Sequence, residues 1–365
     1  MRKLTWFLAL IFIFSFLLIP TRGATSADSL LWKEEAPELE DYAFTFAFVG
    51  DTQIVTFQNS TLLHILYDYL ADNKDAMNLR FVAGLGDITD ASTVGEWQAA
   101  VDAIRRLDGI VPYSLVRGNH DLMDDYLLHI SYDSYLESLS GSFDGTALNT
   151  YHTLTVGTIQ YLFLNLDFGA SDAVLSWAND VVKSHPEHNV IITTHSYIHG
   201  DGALITESNC GVTPSLIGGY NDGDDMWNKL VKLYPNIIMV VCGHIGTAPW
   251  LTVSRLEGDH GNQVQQILID PQRLDLIEPT GTVALFHFSA DGKTIQIENY
   301  ATIKKQYYGN LLTVKVNCVG GNANIAPFCS TQLILPGTFV LFLAAIFFYF
   351  LHRKKKNSQK ITLPS

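Results

Sequence analysis

The chain has 365 residues, 47% of them hydrophobic and 16% charged, so its composition excludes a disordered or low-complexity protein. Its formal net charge is −14, and both ends are basic. The two ends hold 8 of the 23 Lys and Arg residues and no acid, which leaves 37 acids against 15 bases in between. Such an acidic surface repels nucleic-acid phosphates, so we expect no nucleic-acid binding.

The N-terminus has the three-part layout of a secretory signal peptide. Arg2 and Lys3 precede an uncharged run at residues 4–19, and small residues follow from Gly23 onward. A basic start, an apolar stretch and a small-residue exit are typical of a cleaved secretory signal. We therefore predict a signal peptide over residues 1–24, with an uncleaved signal anchor as the alternative.

Between the two ends, apolar runs alternate with amphipathic segments, a pattern typical of an α/β fold. In chain order it predicts strands at 43–49, 79–83, 111–116, 160–166, 189–193 and 237–241, and helices at 61–70, 96–107, 174–183 and 225–234. Four further strands follow without intervening helices, at 250–254, 263–269, 282–288 and 294–298. This succession predicts a helix-covered sheet plus a second, more antiparallel sheet, within one domain over residues 43–301.

The C-terminus predicts a membrane anchor. Residues 333–351 are uncharged, and a helix of that length, at about 1.5 Å per residue, just spans the hydrocarbon core of a bilayer. The basic cluster at 352–356 follows, so the positive-inside rule places the tail, 352–365, in the cytosol. We expect a single-pass type I membrane protein, in which residues 302–332 form a membrane-proximal segment.

The ectodomain of such a protein is extracellular or lies in the lumen of the secretory or endolysosomal system. Four cysteines are compatible with an oxidising compartment but are too few for a disulfide scaffold. The chain also carries one N-glycosylation acceptor sequence, Asn59-Ser60-Thr61. We therefore expect a membrane glycoprotein.

Five of the predicted strands end in short motifs made of metal-ligand or acid–base residue types. These motifs are Gly50-Asp51-Thr52-Gln53, Gly86-Asp87-Ile88-Thr89-Asp90, Gly118-Asn119-His120-Asp121, Thr194-His195 and Gly243-His244-Ile245-Gly246. The carboxyl ends of strands in an open α/β sheet line the ligand crevice, so we expect these side chains to converge. A single Asp after a strand is commonly a turn or a helix cap, but five motifs of compatible chemistry indicate a functional site.

The order of these motifs over about residues 43–301 resembles the calcineurin-like metallophosphoesterase superfamily. The resemblance implies a four-layer α/β/β/α sandwich of two mixed β-sheets, with a two-metal site between the sheets. It further implies that Asp87 bridges both metals and that His120 is the general acid, oriented by Asp90. The remaining ligands that it implies are Asn119, His195 and His244 for one metal, and Asp51 and Gln53 for the other.

Such a site suits the hydrolysis of a phosphate ester. Two divalent ions, here Mn, Fe, Zn or Mg, neutralise phosphate oxygens and activate water at neutral pH, and His120 can protonate the leaving group. We therefore predict a metal-dependent hydrolase, a phosphatase or phosphodiesterase, that acts on a phosphorylated substrate outside the cytosol. The alternative is a degenerate member of the fold that binds a ligand or partner without turnover.

Two positions depart from the family pattern. Gln53 stands where many members have His, and Gly246 stands where they have a second His. Both positions serve the Asp51 metal, so we expect this site to bind more weakly and to prefer manganese or magnesium. His199, four residues after His195, is a candidate for the vacancy at Gly246; a solvent-facing loop histidine is the simpler interpretation.

Two further segments are weaker candidates. Arg255 follows the Gly246 motif and could contact a substrate phosphate, with a surface salt bridge as the alternative. The stretch Asp270-Pro271-Gln272-Arg273 ends another predicted strand, so it could rim the crevice. A turn is the default interpretation of that stretch.

Overall fold

The structure is a computed structural model, and it describes residues 31–218, 220–245 and 250–320. The described residues belong to one compact unit. The predicted signal peptide, transmembrane helix and cytosolic tail lie outside them, as does Gly246. Within the described ranges, no helix is both long and apolar enough to span a bilayer.

The first sheet has eight strands of mixed direction. Its strands in chain order are β1 (Trp32–Lys33), β2 (Phe44–Val49), β3 (Leu79–Gly84), β4 (Tyr113–Ser114), β12 (Thr282–Phe288), β13 (Thr294–Ala301), β14 (Gln306–Tyr308) and β15 (Leu312–Lys315). The spatial order is β1-β14-β13-β12-β2-β3-β4, and β15 also pairs with β13. Strands β2, β3 and β4 are parallel, whereas β12 is antiparallel to β2. The sheet therefore also includes three short strands from outside residues 43–301.

The second sheet has seven strands and is also mixed. Its strands are β5 (Gly141–Ser142), β6 (Thr150–Val156), β7 (Ile159–Leu166), β8 (His188–Thr194), β9 (Ile237–Cys242), β10 (Leu251–Glu257) and β11 (Gln263–Ile269). The spatial order is β10-β11-β9-β8-β7-β6-β5. Parallel pairing joins β7, β8, β9 and β11, and antiparallel pairing adds β6 and β10. The prediction of two mixed sheets in an α/β fold is confirmed.

Nine α-helices connect the strands in the described part of the chain. They are α1 (Gln53–Asn59), α2 (Leu63–Asp72), α3 (Val94–Ile104), α4 (Met123–His129), α5 (Asp133–Glu137), α6 (Asp172–Ser184), α7 (Pro214–Gly218), α8 (Gly223–Lys229) and α9 (Gln272–Asp275). Thr93 caps α3 through a capping box with Glu96, and Ser171 caps α6. The predicted helix 225–234 instead begins at Gly223, because Asp222 and Asp225 form a capping box there.

Three apolar cores arrange these elements in layers. Alternate residues of β2 show the division: Phe44, Phe46 and Phe48 join the core between the two sheets, whereas Ala47 and Val49 join the core under α2 and α3. A third core packs α6 and α8 on the outer face of the second sheet. Helices therefore cover both outer faces, and the polar motifs follow strand ends at one edge of the sandwich.

Candidate metal centre

The motifs after the strands meet at the edge where the two sheets face each other. Asp87, which follows β3, and His195 and His244, which follow β8 and β9, each bring one potential ligand atom within 4.8 Å of the other two. Asp51, after β2, lies with its Oδ1 3.5 Å from His195 Nδ1. Elements of both sheets therefore supply the centre.

His195 lies in the middle of this cluster and is fully buried. Its Nδ1 is 2.8 Å from the Leu85 carbonyl oxygen, so Nδ1 carries the donor hydrogen in the neutral ring. In that form Nε2 carries a lone pair. The Nε2 atom lies 3.1 Å from Asn119 Oδ1 and 3.2 Å from Asp87 Oδ1. Three acceptor atoms that face one another need a cation between them, either a metal ion or a proton.

The pKa values of His195 and Asp87 also show strong attraction between these two side chains. Burial alone lowers the pKa of His195, but the Asp87 carboxylate and the Leu85 carbonyl outweigh it, so the pKa is raised. Burial raises the pKa of Asp87, but His195, His120 and His244 outweigh it and lower that pKa below its usual value. Asp87 is therefore ionised, as a carboxylate must be to hold a metal ion.

His244 is oriented by backbone atoms on two sides. Its Nε2 lies 2.7 Å from the Val212 carbonyl oxygen, so Nε2–H donates and Nδ1 is free to ligate. Its backbone N–H donates to Asp51, at 2.9 Å from Oδ2. Burial, reinforced by His195, lowers the pKa of His244 to about 3, which keeps the ring in the neutral form that binds metals.

Gln53 carries an orphaned polar atom. The side chain is fully buried, and its Nε2 donates to Asp87 Oδ2 at 3.2 Å. Its Oε1 has no hydrogen-bond partner among the described residues. A buried amide oxygen without a partner is costly, and a cation beside Asp87 would satisfy it. The donor set of carboxylates, amide oxygens and imidazoles therefore fits divalent metal binding.

Two motif glycines are required by close approach. A Cβ atom on Gly118 would lie 2.1 Å from Asp87 Oδ1, and one on Gly243 would lie 2.5 Å from Asp51 Oδ1. Any side chain at these positions would displace a carboxylate of the centre. The glycines in the third and fifth motifs therefore allow the carboxylates to sit against the backbone of neighbouring loops.

His120 contacts Asp87 through its backbone, whereas its ring contacts Asp90. Its backbone N–H donates to Asp87 Oδ1 at 3.0 Å, while its ring Nδ1 lies 2.8 Å from the Asp90 carbonyl oxygen and 3.6 Å from Asp90 Oδ1. The side chain is 16% exposed. Burial lowers the pKa of His120, but the Asp87 carboxylate, with smaller contributions from the Asp90 carbonyl and carboxylate, raises it above its ordinary value.

None of the contacts that the structure shows for His199 or Arg255 is with the ligand cluster. The backbone N–H of His199 bonds to the Ala203 carbonyl, and its Nδ1 lies 3.8 Å from Asp201, within the same turn. Arg255 is exposed on β10, opposite Gln265. The roles predicted for these two residues stay predictions.

Asp121 has a supporting role that the sequence motif did not reveal. Its buried carboxylate accepts hydrogen bonds from the backbone N–H groups of Gly118, Ile88 and Thr89, at 3.0, 3.1 and 2.9 Å, and from the Thr89 hydroxyl at 2.8 Å. It therefore ties the loop of Asp87 to the loop of His120.

Arg117 supports the same loop from the other side. Its guanidinium forms a bidentate pair with Asp167, at 2.8 and 2.9 Å, and also donates to the carbonyls of Asp121 and Phe168. The Phe168 ring in turn packs 5.8 Å from the His195 ring and 5.5 Å from the His244 ring, centroid to centroid. The Phe168 ring therefore packs against both imidazole rings.

Comparison with known proteins agrees with this geometry. A family model described as calcineurin-like phosphoesterase matches residues 44–247. The uncharacterized protein YvnB of Bacillus subtilis (strain 168) is 25% identical over 258 residues, which are 67% of this chain but only 19% of that relative. The chain thus matches about a fifth of the length of this curated relative.

Solved structures also align with this chain, at low identity. Purple acid phosphatase PPD1 from yellow lupin (Lupinus luteus) is 10% identical, with a TM-score of 0.46 over 76% of this chain and 54% of that one. GAP50, the anchor in the inner membrane complex of Plasmodium, is 12% identical, with a TM-score of 0.45 over 76% and 89%. Since the family model alone covers more than half of the sequence, the chain belongs to the calcineurin-like phosphoesterase family.

Proposed function

We propose that this chain is a metal-dependent hydrolase that cleaves a phosphomonoester or phosphodiester by attack of water at phosphorus, with His120 as general acid. One observation carries the proposal: His195 Nε2 converges with two oxygens, at 3.1 Å from Asn119 Oδ1 and 3.2 Å from Asp87 Oδ1, and a divalent cation would join these three atoms. Two divalent ions at this centre would neutralise phosphate oxygens and activate water.

The residues of the centre would act either as metal ligands or as the proton donor. Asp87, Asn119, His195 and His244 would hold one ion, and Asp51 and Gln53 would hold the other together with Asp87. The ring of His120 donates from Nδ1 to the Asp90 carbonyl, so Nε2 is the atom that can deliver a proton to the leaving oxygen. The raised pKa of His120 supports this role, because it increases the fraction of rings that carry the proton at a given pH.

Turnover of model substrates tests this function. The full-length protein would be stripped with a chelator, reloaded with Mn, Mg, Zn, Fe or Co, and assayed with p-nitrophenyl phosphate and bis(p-nitrophenyl) phosphate. We expect hydrolysis of at least one ester that depends on added metal and is lost in Asp87→Asn. No turnover with any of these metals would contradict the proposal and favour a binding protein without catalysis.

We further propose that the catalytic unit lies outside the cytosol as part of a single-pass type I protein. The support is sequence pattern: the apolar runs at 4–19 and 333–351 and their basic flanks. The acceptor Asn59 is exposed at the end of α1, which suits glycosylation. Protease added to intact cells should spare a C-terminal tag, and it should remove the ectodomain of protein at the cell surface; removal of the tag with the ectodomain spared would contradict this orientation.

A further inference from the structure

Asp270 lies against Asp51 in the interior of the protein. Their carboxyl groups are in hydrogen-bond contact, and the two residues are 1% and 0% exposed. Strand β11 ends at Ile269 and runs parallel to β9, with Leu268 opposite Cys242. Asp270 and His244 therefore occupy corresponding positions, each two residues beyond this pair at the ends of neighbouring strands.

The position of Asp270 is fixed by its backbone and by the facing sheet. Its N–H donates to the Trp250 carbonyl at 2.9 Å, and its Oδ1 accepts from the N–H of Gln272 at 2.9 Å, as the default turn interpretation requires. A Cβ atom on Gly50 would lie only 2.3 Å from the Ile269 carbonyl oxygen. The ends of β2 and β11 thus touch, and this contact brings the carboxyl groups of Asp51 and Asp270 together.

The carboxyl group of Asp51 is also near enough to that of Asp87 to be repelled by it, so Asp51 has two other buried acids beside it. Burial, Asp270 and Asp87 together raise the pKa of Asp51 well above its usual range, as expected for like charges held together. An independent observation is the fully buried Gln53 Oε1, which lacks a hydrogen-bond partner among the described residues. Gln53 Nε2 is 3.2 Å from Asp87 Oδ2, so this orphaned oxygen belongs to the same cluster. Converging carboxylates with an unpartnered amide oxygen are the surroundings that hard divalent cations prefer.

We propose that Asp270 is a ligand of the metal at the Asp51 site and supplies the donor that is missing from the sequence at Gly246. The inference rests on the two-metal function proposed above. With Asp51, Gln53, Asp87 and Asp270 as ligands, the site is made of oxygens alone. It therefore selects Mn²⁺ or Mg²⁺ over Zn²⁺, whereas the His195/His244 site retains two imidazoles.

Mn²⁺ binding to the chelator-stripped, full-length protein tests the proposal by calorimetry and equilibrium dialysis. We expect two Mn²⁺ per wild-type chain. Asp270→Asn should lose the second ion or bind it about 10-fold more weakly or worse, and Asp270→Glu should recover part of the affinity. Without metal, Asp270→Asn should melt at the same or a higher temperature than wild type, because a neutral amide replaces the buried acid beside Asp51, and Mn²⁺ should raise its Tm less.

Asp275→Asn is the matched control. Asp275 is equally buried and lies in the same segment, but its carboxylate accepts from the N–H and hydroxyl of Thr280, at 2.7 and 2.6 Å. This variant should lower stability and keep both Mn²⁺ ions. The proposal would be overturned if both Asp270 variants bound two ions with wild-type affinity. It would also be overturned if His199→Ala were the variant that loses one ion.

The two proposals fail in different ways. If wild type hydrolyses phosphate esters while Asp270→Asn binds two Mn²⁺ normally, the assignment of Asp270 is wrong and the proposed function stands. If wild type binds two Mn²⁺ but hydrolyses no ester, and Asp270→Asn binds only one Mn²⁺, the assignment of Asp270 as a ligand stands and the proposed catalytic function is wrong. A wild-type protein that binds no Mn²⁺ overturns both.

Discussion

His120 is held by the main chain of Asp90 more closely than by its carboxylate. The ring Nδ1 lies 2.8 Å from the Asp90 carbonyl oxygen and 3.6 Å from Oδ1. A carbonyl can only accept, so it fixes the tautomer with hydrogen on Nδ1 and makes Nε2 the ring atom that gains and loses a proton. The Asp90 carboxylate adds charge but is not the main positioning group.

If His120 donates the proton to the leaving oxygen, His120→Ala should lower kcat by about 10²–10⁴-fold for an alkyl phosphate. The loss should shrink for p-nitrophenyl phosphate, whose leaving oxygen needs little protonation. Metal content, measured by elemental analysis, should barely change. Equal rate losses for the two esters would reassign His120 to substrate binding, and loss of metal as complete as in Asp87→Ala would make it a ligand.

Asp90→Asn should have a mild effect, because the backbone carbonyl that holds His120 stays in place. We expect less than about a 10-fold loss of kcat, and a downward shift of the alkaline limb of the pH–rate profile, since the carboxylate helps to raise the pKa of His120. Steady-state rates from pH 5 to 9 measure both. A loss as large as that of His120→Ala would mean that the carboxylate itself orients the ring.

Gly118→Ala should disrupt metal binding with little change elsewhere in the fold. The added Cβ would lie 2.1 Å from Asp87 Oδ1 and 2.2 Å from the Asp87 backbone nitrogen, so the loop of Asp87 must move. Gly95→Ala is the control, because nothing lies within 4 Å of a Cβ there and Ala favours the helix by about 1 kcal/mol. Metal stoichiometry and far-UV circular dichroism separate the two variants; normal metal content in Gly118→Ala would contradict the close packing.

His152 should make the fold sensitive to mild acid, independently of the metal centre. It is 2% exposed, and its Nε2 has no hydrogen-bond partner among the described residues. Burial lowers the pKa of His152 from 6.5 to about 4. The unfolded chain therefore binds the proton first, and stability that is present above pH 6.5 is lost as the pH falls toward 4.

Urea unfolding at pH 7 and pH 5 measures this loss. We expect wild type to lose about 2 kcal/mol more than His152→Gln between these pH values, because each pKa unit is worth about 1.4 kcal/mol. The glutamine is neutral at both pH values. The same acid loss in both proteins would assign the sensitivity to other groups.

The strands that carry the motifs could be predicted because they are buried on both faces and read as apolar runs. Strands β2, β8 and β9 begin and end within one residue of their predicted limits. Strand β6 was missed because Thr and His interrupt its apolar residues, in step with its partly exposed face. The strand predicted at 111–116 shrinks to Tyr113–Ser114, since only these two residues pair with β3.

The composition of the site was predictable where a ligand follows its strand directly in sequence. The supporting contacts were not, because they join residues that are far apart along the chain. Asp121 reaches Ile88 across 33 positions, and the Val212 carbonyl reaches His244 across 32. Asp270 looked like an ordinary turn residue, and only the contact between the ends of β2 and β11 brings it to Asp51.

Hydrolysis in ¹⁸O-labelled water shows directly whether water attacks at phosphorus. The full-length protein, stripped of metal and then reloaded with Mn²⁺, would be incubated with a phosphomonoester and with a phosphodiester, and the products analysed by mass spectrometry. We expect metal-dependent turnover of at least one substrate, with ¹⁸O in the phosphate-bearing product and none in the released alcohol. Label in the alcohol, equal turnover in the stripped protein, or no turnover of either ester would contradict it.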